Sequence, residues 1–290
     1  MTFRDSIQLL RVHQYLKNLF IFLPLFFSLR VYEARLLLDA FLAFVIFSII
    51  ASAVYILNDY HDIQEDRAHP VKKHRPLAAG RISGPTALWL MAALLTSGLA
   101  AAWGLTREMF LLCALYILLN IGYSLKLKHL PIVDIFVIAT NFVIRIFVGG
   151  AVTGVTIYMW IIIMTFLLAL FLALAKRRDD VLIFLETEHK SRKSIDGYNL
   201  PFIDAAMMAL AAVTIVAYIM YTVSPDVIAK FGTDKLYLTT FFVILGIMRY
   251  MQITFVEEKS GSPTEVLLKD RFIQLCLLGW IVSFGILIYR

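Results

Sequence analysis

Charged residues are scarce in this chain of 290 residues: Asp, Glu, Lys and Arg make up 17%, whereas hydrophobic residues make up 60%. Soluble domains of ordinary composition carry about 25% charged residues. The composition therefore excludes an ordinary soluble domain and indicates an integral membrane protein.

Cysteine is scarcer still, because the chain has only Cys113 and Cys276, both in apolar segments and without metal-ligand spacing. That placement favours buried free thiols over a metal site. No small-residue cleavage site follows the first apolar run, so we expect no cleaved signal peptide.

Long apolar runs recur along the whole chain, and each is long enough to cross about 30 Å of hydrocarbon as a helix. We therefore predict an all-α integral membrane protein with nine transmembrane helices, forming a single domain over residues 1–290. The predicted spans are residues 17–34, 37–57, 85–104, 108–125, 132–152, 156–175, 201–223, 236–256 and 270–289.

The 27 Lys and Arg residues fall mostly on one side of the predicted membrane. Under the positive-inside rule that side is cytoplasmic, so we expect a multi-pass protein of the cytoplasmic (inner) membrane. Two long polar loops, at 58–84 and 176–200, lie on this side. We expect them to converge on one site that faces the cytoplasm. The net charge of +6 follows from this imbalance and needs no nucleic-acid partner.

The first polar loop begins with an acidic motif, "NDYHDIQED". Asp59, Asp62 and Asp66 are spaced by three and four residues, so on a helix they project within about 60° of arc, next to Asn58. Carboxylates this close repel one another near a low-dielectric boundary unless a cation neutralises them. Their oxygen atoms suit Mg²⁺, which commonly joins one or two carboxylates to substrate phosphates. A solvated charged face is the alternative.

A basic run follows the acidic motif and indicates an anionic ligand. Lys72, Lys73 and Arg75 lie within ten residues of Asp66, where Arg offers planar bidentate donors to a phosphate and Lys a point charge. His69 and His74 would be alternative zinc ligands, but neither a cysteine nor an H-E-x-x-H pattern supports zinc.

The second polar loop reads "AKRRDDVLIFLETEHKSRKSIDGY" and is also strongly basic. We expect Lys176, Arg177 and Arg178 to bind a second anion, with Asp180 completing this part of the site. The positive-inside rule is an alternative reason for each of these basic residues.

The fifth predicted span contains Asp134, Asn141 and Arg145, spaced by seven and four residues so that they share one helical face. Ionisable residues inside a membrane helix usually face a cavity and mark function. Asp134 and Arg145 lie about 16 Å apart along the axis and cannot pair with each other. An interhelical hydrogen bond is the alternative role for Asn141.

Further polar residues flank the predicted spans and extend the candidate lining of the site. Near the entrance to the first span lie Arg11, Gln14, Lys17 and Asn18, and at the end of the fourth lie Tyr123, Lys126 and Lys128. Tyr123 would equally serve as an interfacial aromatic residue.

Taken together, these motifs resemble the UbiA superfamily of intramembrane prenyltransferases. "NDYHDIQED" has its N-D-x-x-D-x-x-x-D form. One branch, the decaprenyl-phosphate phosphoribosyltransferases, is similar over the segments "DRAHPVKKHRPLAAG", "LLRVHQYLKN", "YSLKLKHLPIVDIFVIATNFVIRIFVGG", "AKRRDD" and "SRKSIDGY". Prenyltransferases commonly have a second D-x-x-x-D in the later loop, where this chain reads "KRRDD". That departure indicates substrates that carry more negative charge than the aromatic acceptors of prenyltransferases, which are often neutral or have a single carboxylate.

The resemblance implies an Mg²⁺-dependent enzyme that transfers 5-phosphoribose from phosphoribosyl diphosphate to a polyprenyl phosphate in the bilayer. In the best-known branch the product is a cell-wall arabinan precursor, and a precursor of another glycolipid is the alternative. The resemblance also implies that Asp59, Asp62 and Asp66 bind the metal and act in catalysis. The residues expected to bind the substrates are Lys17, Asn58, Lys72, Lys73, Arg75, Tyr123, Lys126, Lys128, Asp134, Asn141, Arg145, Lys176, Arg177, Arg178 and Asp180.

Two other functions stay open at this point. A prenyltransferase would move a prenyl group from its diphosphate to an aromatic or lipid acceptor. A transporter would bind a cation on the acidic face and an anion on the basic residues. Transporters bind their substrates near the membrane midplane, whereas these motifs lie at the predicted membrane surface, which favours an enzyme.

Overall fold

The computed structural model is helical and contains no strand over the residues it describes, which are 3–69, 71–187, 193–259 and 262–289. The all-α prediction is therefore confirmed. Residues 188–192, in the second predicted loop, lie outside the described residues.

The α-helices are α1 (Phe3–Leu10), α2 (Leu23–Phe27), α3 (Ala34–His61), α4 (Ile63–Ala68), α5 (Gly84–Leu105), α6 (Arg107–Leu125), α7 (Val133–Thr153), α8 (Met159–Thr187), α9 (Leu200–Thr222), α10 (Pro225–Phe231), α11 (Thr240–Phe255), α12 (Pro263–Lys269) and α13 (Arg271–Ile288). The 3₁₀ helices are Val12–Phe22, Lys72–His74, Leu127–His129, Lys193–Gly197 and Lys235–Thr239.

Eight helical segments among the described residues are long and apolar enough to cross a membrane. They are α3, α5, α6, α7, α8, α9, the segment Lys235–Phe255 and α13. Each corresponds to one predicted span. The predicted span 17–34 has no such helix in the described part of the chain, so the count of nine is not confirmed.

The segment 17–34 is broken, rather than forming the one continuous α-helix that its hydropathy predicts. A 3₁₀ helix occupies Val12–Phe22, α2 follows it, and Leu29 has a left-handed φ of 64°. Pro24, at the start of α2, disfavours a continuous α conformation through the preceding residue. Because 3₁₀ helices longer than three or four residues are uncommon, tertiary packing has to stabilise this one.

Residues three apart in a 3₁₀ helix lie on the same face, and here that face carries Tyr15, Asn18 and Ile21. The Tyr15 hydroxyl shares a hydrogen bond of 2.8 Å with Ser52 Oγ, and Asn18 Nδ2 donates to Ser48 Oγ at 2.8 Å. Both serines belong to α3. These polar contacts with α3 explain why the segment departs from the α-helix.

The chain forms two compact units, one of Met1–Ile157 with His189–Ser194 and the other of Tyr158–Glu188 with Ile195–Arg290. In the first unit α3 packs against α5, α6, α7 and the long 3₁₀ helix. Its core includes Phe47, Ile50 and Met109, each with no exposed surface. In the second unit α8 packs against α9, and α11 packs against α13. The single-domain assignment stays a prediction.

Local capping chemistry explains where several helices begin. A side-chain oxygen of Ser83, Thr106, Asn199 or Asp270 accepts a hydrogen bond from the backbone N–H three residues further on. Such N-caps satisfy donors that have no partner inside the helix. They fix the starts of α5, α6, α9 and α13.

The length of α3 places the acidic motif at its end. With 28 residues, α3 is about 42 Å long, which exceeds the about 30 Å of a hydrocarbon core. Asn58 and Asp59 lie in its last turn, so the polar side chains begin where the helix extends beyond the hydrocarbon core of the membrane.

A glycine lets the 3₁₀ helix approach α7 closely. A Cβ atom added at Gly149 would lie 2.0 Å from the Ile21 carbonyl oxygen and 2.9 Å from its carbonyl carbon. Backbone atoms cannot move away from such an overlap without shifting the helix that carries them. A side chain at this position is therefore incompatible with the packing of α7 against the 3₁₀ helix.

We expect Gly149→Ala to destabilise the protein by about 3 kcal/mol, because overpacking against backbone cannot relax by rotating a side chain. The measurement is the thermal unfolding midpoint in detergent. The matched control is Gly104→Ala, whose Cβ would meet nothing within 4 Å and should leave the midpoint unchanged or slightly raised. Equal midpoints for the two variants would contradict the close approach.

Candidate active site

The acidic motif spans the junction between α3 and α4. Asp59 lies in the last turn of α3, Asp62 lies between the two helices, and Asp66 lies in α4. The backbone N–H of Asp62 donates to the Asn58 carbonyl at 3.0 Å, and that of Asp66 to the Asp62 carbonyl at 2.8 Å. These helical hydrogen bonds continue across the junction and keep the three carboxylates close.

Asp59 and Asp66 share one guanidinium. Arg75 Nη1 donates to Asp59 Oδ1 at 3.0 Å and to Asp66 Oδ2 at 2.6 Å. Arg11 also donates to Asp59 Oδ1 and stacks over the Tyr55 ring at 5.1 Å. Both carboxylates are almost fully buried, with 2% and 4% of their residue surfaces exposed. The two arginines therefore neutralise buried charge that would otherwise be strongly unfavourable.

Asp62 has a different set of partners. Lys128 Nζ donates to Asp62 Oδ1, and Asn58 Nδ2 donates to Asp62 Oδ2 at 3.1 Å. Lys128 is itself 1% exposed. Ser124 Oγ donates to Asn58 Oδ1 at 3.3 Å, which orients the amide. The structure thus places Lys128 against the acidic motif, whereas substrate binding by Asn58 and Lys128 stays a prediction.

Burial shifts the titration of this cluster. Burial raises the pKa of Asp66, and the charge and hydrogen bond of Arg75 oppose that rise. Burial likewise lowers the pKa of Arg75, and the neighbouring charge of Arg11 acts in the same direction. The Asp66 carboxylate therefore depends on Arg75 to stay charged.

The acidic cluster fits Mg²⁺ as a site of two carboxylates plus substrate oxygens, rather than as a complete protein cage. No group of three or more His, Cys, Asp or Glu side chains in the described part of the chain is arranged to hold one ion. Asp59 and Asp66, however, already converge on one positively charged nitrogen of Arg75. Mg²⁺ is commonly bound through one or two carboxylates and phosphates.

The rest of the basic run lies at the edge of this cluster. Lys72 is half-buried and Lys73 is exposed in a short 3₁₀ helix, and Arg75 follows directly. Arg75 is hydrogen-bonded to the predicted metal ligands Asp59 and Asp66. Phosphate binding by Lys72 and Lys73 stays a prediction.

The polar face of the fifth predicted span, now α7, is buried. Asp134 has no exposed surface and Arg145 is 3% exposed. Asn141 and Asn120 exchange reciprocal amide hydrogen bonds of 3.0 and 3.2 Å between α7 and α6. This pair gives Asn141 the interhelical role that was the alternative to ligand binding, and Arg145 is hydrogen-bonded to Asn18 instead.

The remaining first-unit candidates differ in exposure. Lys17 and Tyr123 are half-buried, whereas Lys126 is exposed at the C-terminus of α6. Lys17 lies within electrostatic range of Arg145 and Arg11. It therefore belongs to the same basic region, and Lys126 lies towards solvent.

In the second unit, the basic motif of α8 is engaged in ion pairs within that unit. Arg177 donates to Asp180, and both side chains are buried. Arg178 donates to Asp204 at 2.9 Å and to the Thr254 carbonyl at 2.8 Å. Phosphate binding by Arg177 and Arg178, as by Lys176, stays a prediction.

The sequence placed Arg11 and Asn18 in the candidate lining near the entrance to the first span but did not include them among the residues expected to bind the substrates. It did not identify Tyr55 at all. Tyr55 precedes Asp59 by one helical turn. That spacing puts both residues on the same face of a helix and was the available signal that Tyr55 lies near the site. Arg11 pairs with Asp59, 48 residues away along the chain, and Asn18 with Arg145, 127 residues away.

Comparison with known proteins gives concordant matches. A model of the UbiA prenyltransferase family matches residues 19–276. The chain is 30% identical over 253 residues to the decaprenyl-phosphate phosphoribosyltransferase of Mycolicibacterium smegmatis, covering 85% of this chain and 79% of the relative. It is 28% identical over 292 residues to the enzyme of the same name from Corynebacterium glutamicum, covering 98% of this chain and 86% of the relative.

Solved structures agree on the fold. The UbiA homolog from Archaeoglobus fulgidus bound to GPP and Mg²⁺ has a TM-score of 0.75 and 19% identity, covering 99% of this chain and 100% of that one. The apo UbiA homolog from Aeropyrum pernix K1 has a TM-score of 0.64 and 16% identity, covering 98% of each chain. The prediction of a UbiA-like helical fold is confirmed.

We expect Arg75→Met to destabilise the metal-free protein by about 3 kcal/mol, because it leaves the buried Asp66 carboxylate without its guanidinium. The pKa of Asp66, already raised, rises further, so this loss of stability grows as the pH rises above about 4, the ordinary aspartate value. Thermal unfolding in detergent with EDTA measures it at several pH values.

The matched control is the double variant Arg75→Met/Asp66→Asn, which removes the stranded charge and should recover most of the lost stability. A double variant no more stable than Arg75→Met alone would show that Arg75 acts through other contacts.

Proposed function

The chain belongs to the UbiA prenyltransferase family, and within it we propose that the protein transfers 5-phosphoribose from 5-phosphoribosyl 1-diphosphate to a polyprenyl phosphate, releasing diphosphate. The names of the relatives from Mycolicibacterium smegmatis and Corynebacterium glutamicum support this donor and acceptor. We place the protein in the cytoplasmic membrane with its site on the cytoplasmic face, as the positive-inside rule favours.

One structural observation carries the proposal: three acidic side chains are interleaved with three basic ones at the end of α3. Asp59 and Asp66 share Arg75, Asp59 also pairs with Arg11, and Asp62 pairs with Lys128. A metal-bound diphosphate needs both kinds of partner, because carboxylates hold the cation and basic side chains hold the phosphate oxygens.

In the proposed mechanism, Asp59 and Asp66 would hold Mg²⁺, with Asp62 and Asn58 adjacent. When bound, this ion supplies neutralisation of the charge that develops on the leaving diphosphate. Arg75 and Arg11 exchange their carboxylate partners for phosphate oxygens when the donor binds. That exchange keeps every buried charge paired before and after binding.

The proposed reaction breaks the bond between C1 of ribose and the diphosphate oxygen, and the electron pair leaves with diphosphate. An oxygen of the lipid phosphate forms the new bond to C1 from the opposite face, which inverts the configuration there. That phosphate is largely ionised near neutral pH, so it needs no dedicated general base.

A prenyltransferase is the second candidate, and a specific observation favours it. The structure of the Archaeoglobus fulgidus homolog was obtained with GPP and Mg²⁺ bound, and the fold of this chain is similar. The same acidic cluster would then hold a prenyl diphosphate. The two candidates differ in their donor, so an assay with each donor separates them.

The experiment that tests the proposed function uses purified protein in nanodiscs with ribose-labelled phosphoribosyl diphosphate and a polyprenyl phosphate, with Mg²⁺ or with EDTA. We expect labelled lipid only when Mg²⁺ and the acceptor are both present. No labelled lipid from folded protein, together with transfer from a labelled prenyl diphosphate, would replace the proposal with the second candidate.

We expect Asp59→Asn and Asp66→Asn each to lower Mg²⁺-dependent turnover by at least about 100-fold, since metal stabilisation of a leaving group contributes several kcal/mol. Initial rates at saturating substrates measure the loss, and thermal unfolding checks that the variants are folded. Asp226→Asn is the control, because Asp226 is exposed in α10 of the second unit. Full activity in both site variants would falsify the metal assignment.

A further inference from the structure

One residue, His69, caps the turn that follows α4. The backbone N–H groups of Val71 and Lys72 donate to its Nδ1 atom at 3.1 and 3.3 Å. The N–H group of Lys73 donates to its carbonyl oxygen at 3.2 Å. Pro70 has no N–H group. His69 therefore accepts a hydrogen bond from every backbone donor of the next four residues.

This pattern is that of a helix N-cap, with histidine in place of the usual residues. An N-cap side chain accepts from the N–H groups two or three residues further on, and Ser, Thr, Asp and Asn are preferred there. A ring nitrogen that accepts carries no proton, so the His69 imidazole is neutral and its proton lies on Nε2. Because His69 is 4% exposed, the packing around the ring fixes where Nδ1 points.

A chain of hydrogen bonds leads from this cap to the carboxylates of the candidate active site. Lys72 donates to His69 through its N–H group, and its carbonyl oxygen accepts from the Arg75 N–H group at 2.9 Å. The Arg75 side chain then donates to Asp59 and Asp66. The cap thus fixes the backbone of the short 3₁₀ helix, and that helix fixes the point from which the Arg75 side chain extends.

A second contact holds the same 3₁₀ helix from its other end. Arg81 Nη2 donates to the His74 carbonyl oxygen at 2.9 Å, and Arg81 Nε donates to Asp5 Oδ1 at 2.8 Å. This contact ties the end of the 3₁₀ helix to α1, and His69 is the corresponding attachment on the side of α4. Arg75 therefore directly follows a segment that is held at both ends.

Histidine supplies this cap without adding a charge. An aspartate would also cap the turn, but it would place a fourth carboxylate beside the acidic motif and offer the Arg75 guanidinium a further partner. The position is close to the motif, because the His69 N–H group donates to the Asp66 carbonyl oxygen at 3.2 Å. Like charges at such a site repel each other. A neutral imidazole leaves Arg75 to Asp59 and Asp66.

We propose that His69 is a positioning residue for the proposed reaction: its neutral imidazole caps the basic loop, residues 71–76, and so presents Arg75 to the diphosphate of the donor. His69 acts through Arg75 and does not itself contact the substrate. The inference deepens the proposed function and rests on it for the identity of the donor. The cap and its connection to Asp59 and Asp66 are properties of the protein alone.

The first test measures the cap by hydrogen exchange of the backbone amides of residues 71–73, in nanodiscs with EDTA. We expect His69→Leu, which has no acceptor, to speed this exchange at least about fivefold, because a cap protects N–H groups from local opening. His69→Asn should keep the wild-type rate, since its Oδ1 takes the place of Nδ1. His69→Gln carries its oxygen one carbon further from the backbone and should exchange as His69→Leu does.

The second test asks whether the cap affects the diphosphate site. Purified protein is titrated with magnesium diphosphate, and thermal stabilisation gives the Kd. We expect His69→Leu and His69→Gln to weaken binding about tenfold, as loss of a supporting residue commonly does, and His69→Asn to bind within about threefold of wild type. In turnover, the KM of phosphoribosyl diphosphate should rise by the same factor, with kcat and the KM of the polyprenyl phosphate unchanged.

His74→Leu is the matched control, because His74 is an exposed histidine of the same 3₁₀ helix. It should exchange and bind diphosphate as wild type does. The comparison of His69→Asn with His69→Gln decides the result even where His69→Leu fails to fold. Equal behaviour of those two variants, altered exchange with an unchanged Kd, or no binding of magnesium diphosphate by the wild type would overturn the proposal.

The two tests separate failure of this inference from failure of the proposed function. Faster exchange and weaker diphosphate binding in His69→Leu, without phosphoribosyl transfer by the wild type, support the positioning role and reject the reaction. Phosphoribosyl transfer by the wild type, with exchange and diphosphate binding unchanged in His69→Leu, supports the reaction and rejects the positioning role.

Discussion

Pairing of buried charge at the end of α3 is the interaction on which the structure of the first unit depends. Arg11 reaches Asp59 from the turn after α1, Arg75 reaches Asp59 and Asp66 from the basic loop, and Lys128 reaches Asp62 from the connection between α6 and α7. Each cation therefore ties a different segment to one helix end. Because an unpaired buried charge is strongly destabilising, these segments have few alternative positions.

The same pairing explains how the proposed site for a metal ion and a diphosphate is stable when neither ligand is bound. Three carboxylates this close would repel one another and open the helix junction. Arg75 takes the place between Asp59 and Asp66 that a divalent cation would take in the proposed function. In the proposed function, exchange of partners on binding leaves the buried charges of Asp59, Asp66, Arg11 and Arg75 paired.

The long 3₁₀ helix Val12–Phe22 sets the geometry between these groups. Its period of three places Asn18 and Ile21 against α7, where Asn18 accepts from Arg145 and Ile21 meets Gly149. Arg11 lies at the N-cap of this helix in a left-handed conformation, with a φ of 51°, and from there it reaches Asp59.

The amino-acid sequence by itself determined the membrane class, eight helical spans and the position of the acidic motif, since hydropathy and helix period depend on neighbouring residues. It also identified Lys128, 66 residues from Asp62, as a basic candidate without identifying its partner. The break of the segment 17–34 into a 3₁₀ helix and the pairing of Arg11 with Asp59, 48 residues away, were decided only by the tertiary structure. An ion pair forms between groups that packing brings within a few ångströms of each other. The local sequence around one charged residue does not indicate which distant residue will be its partner.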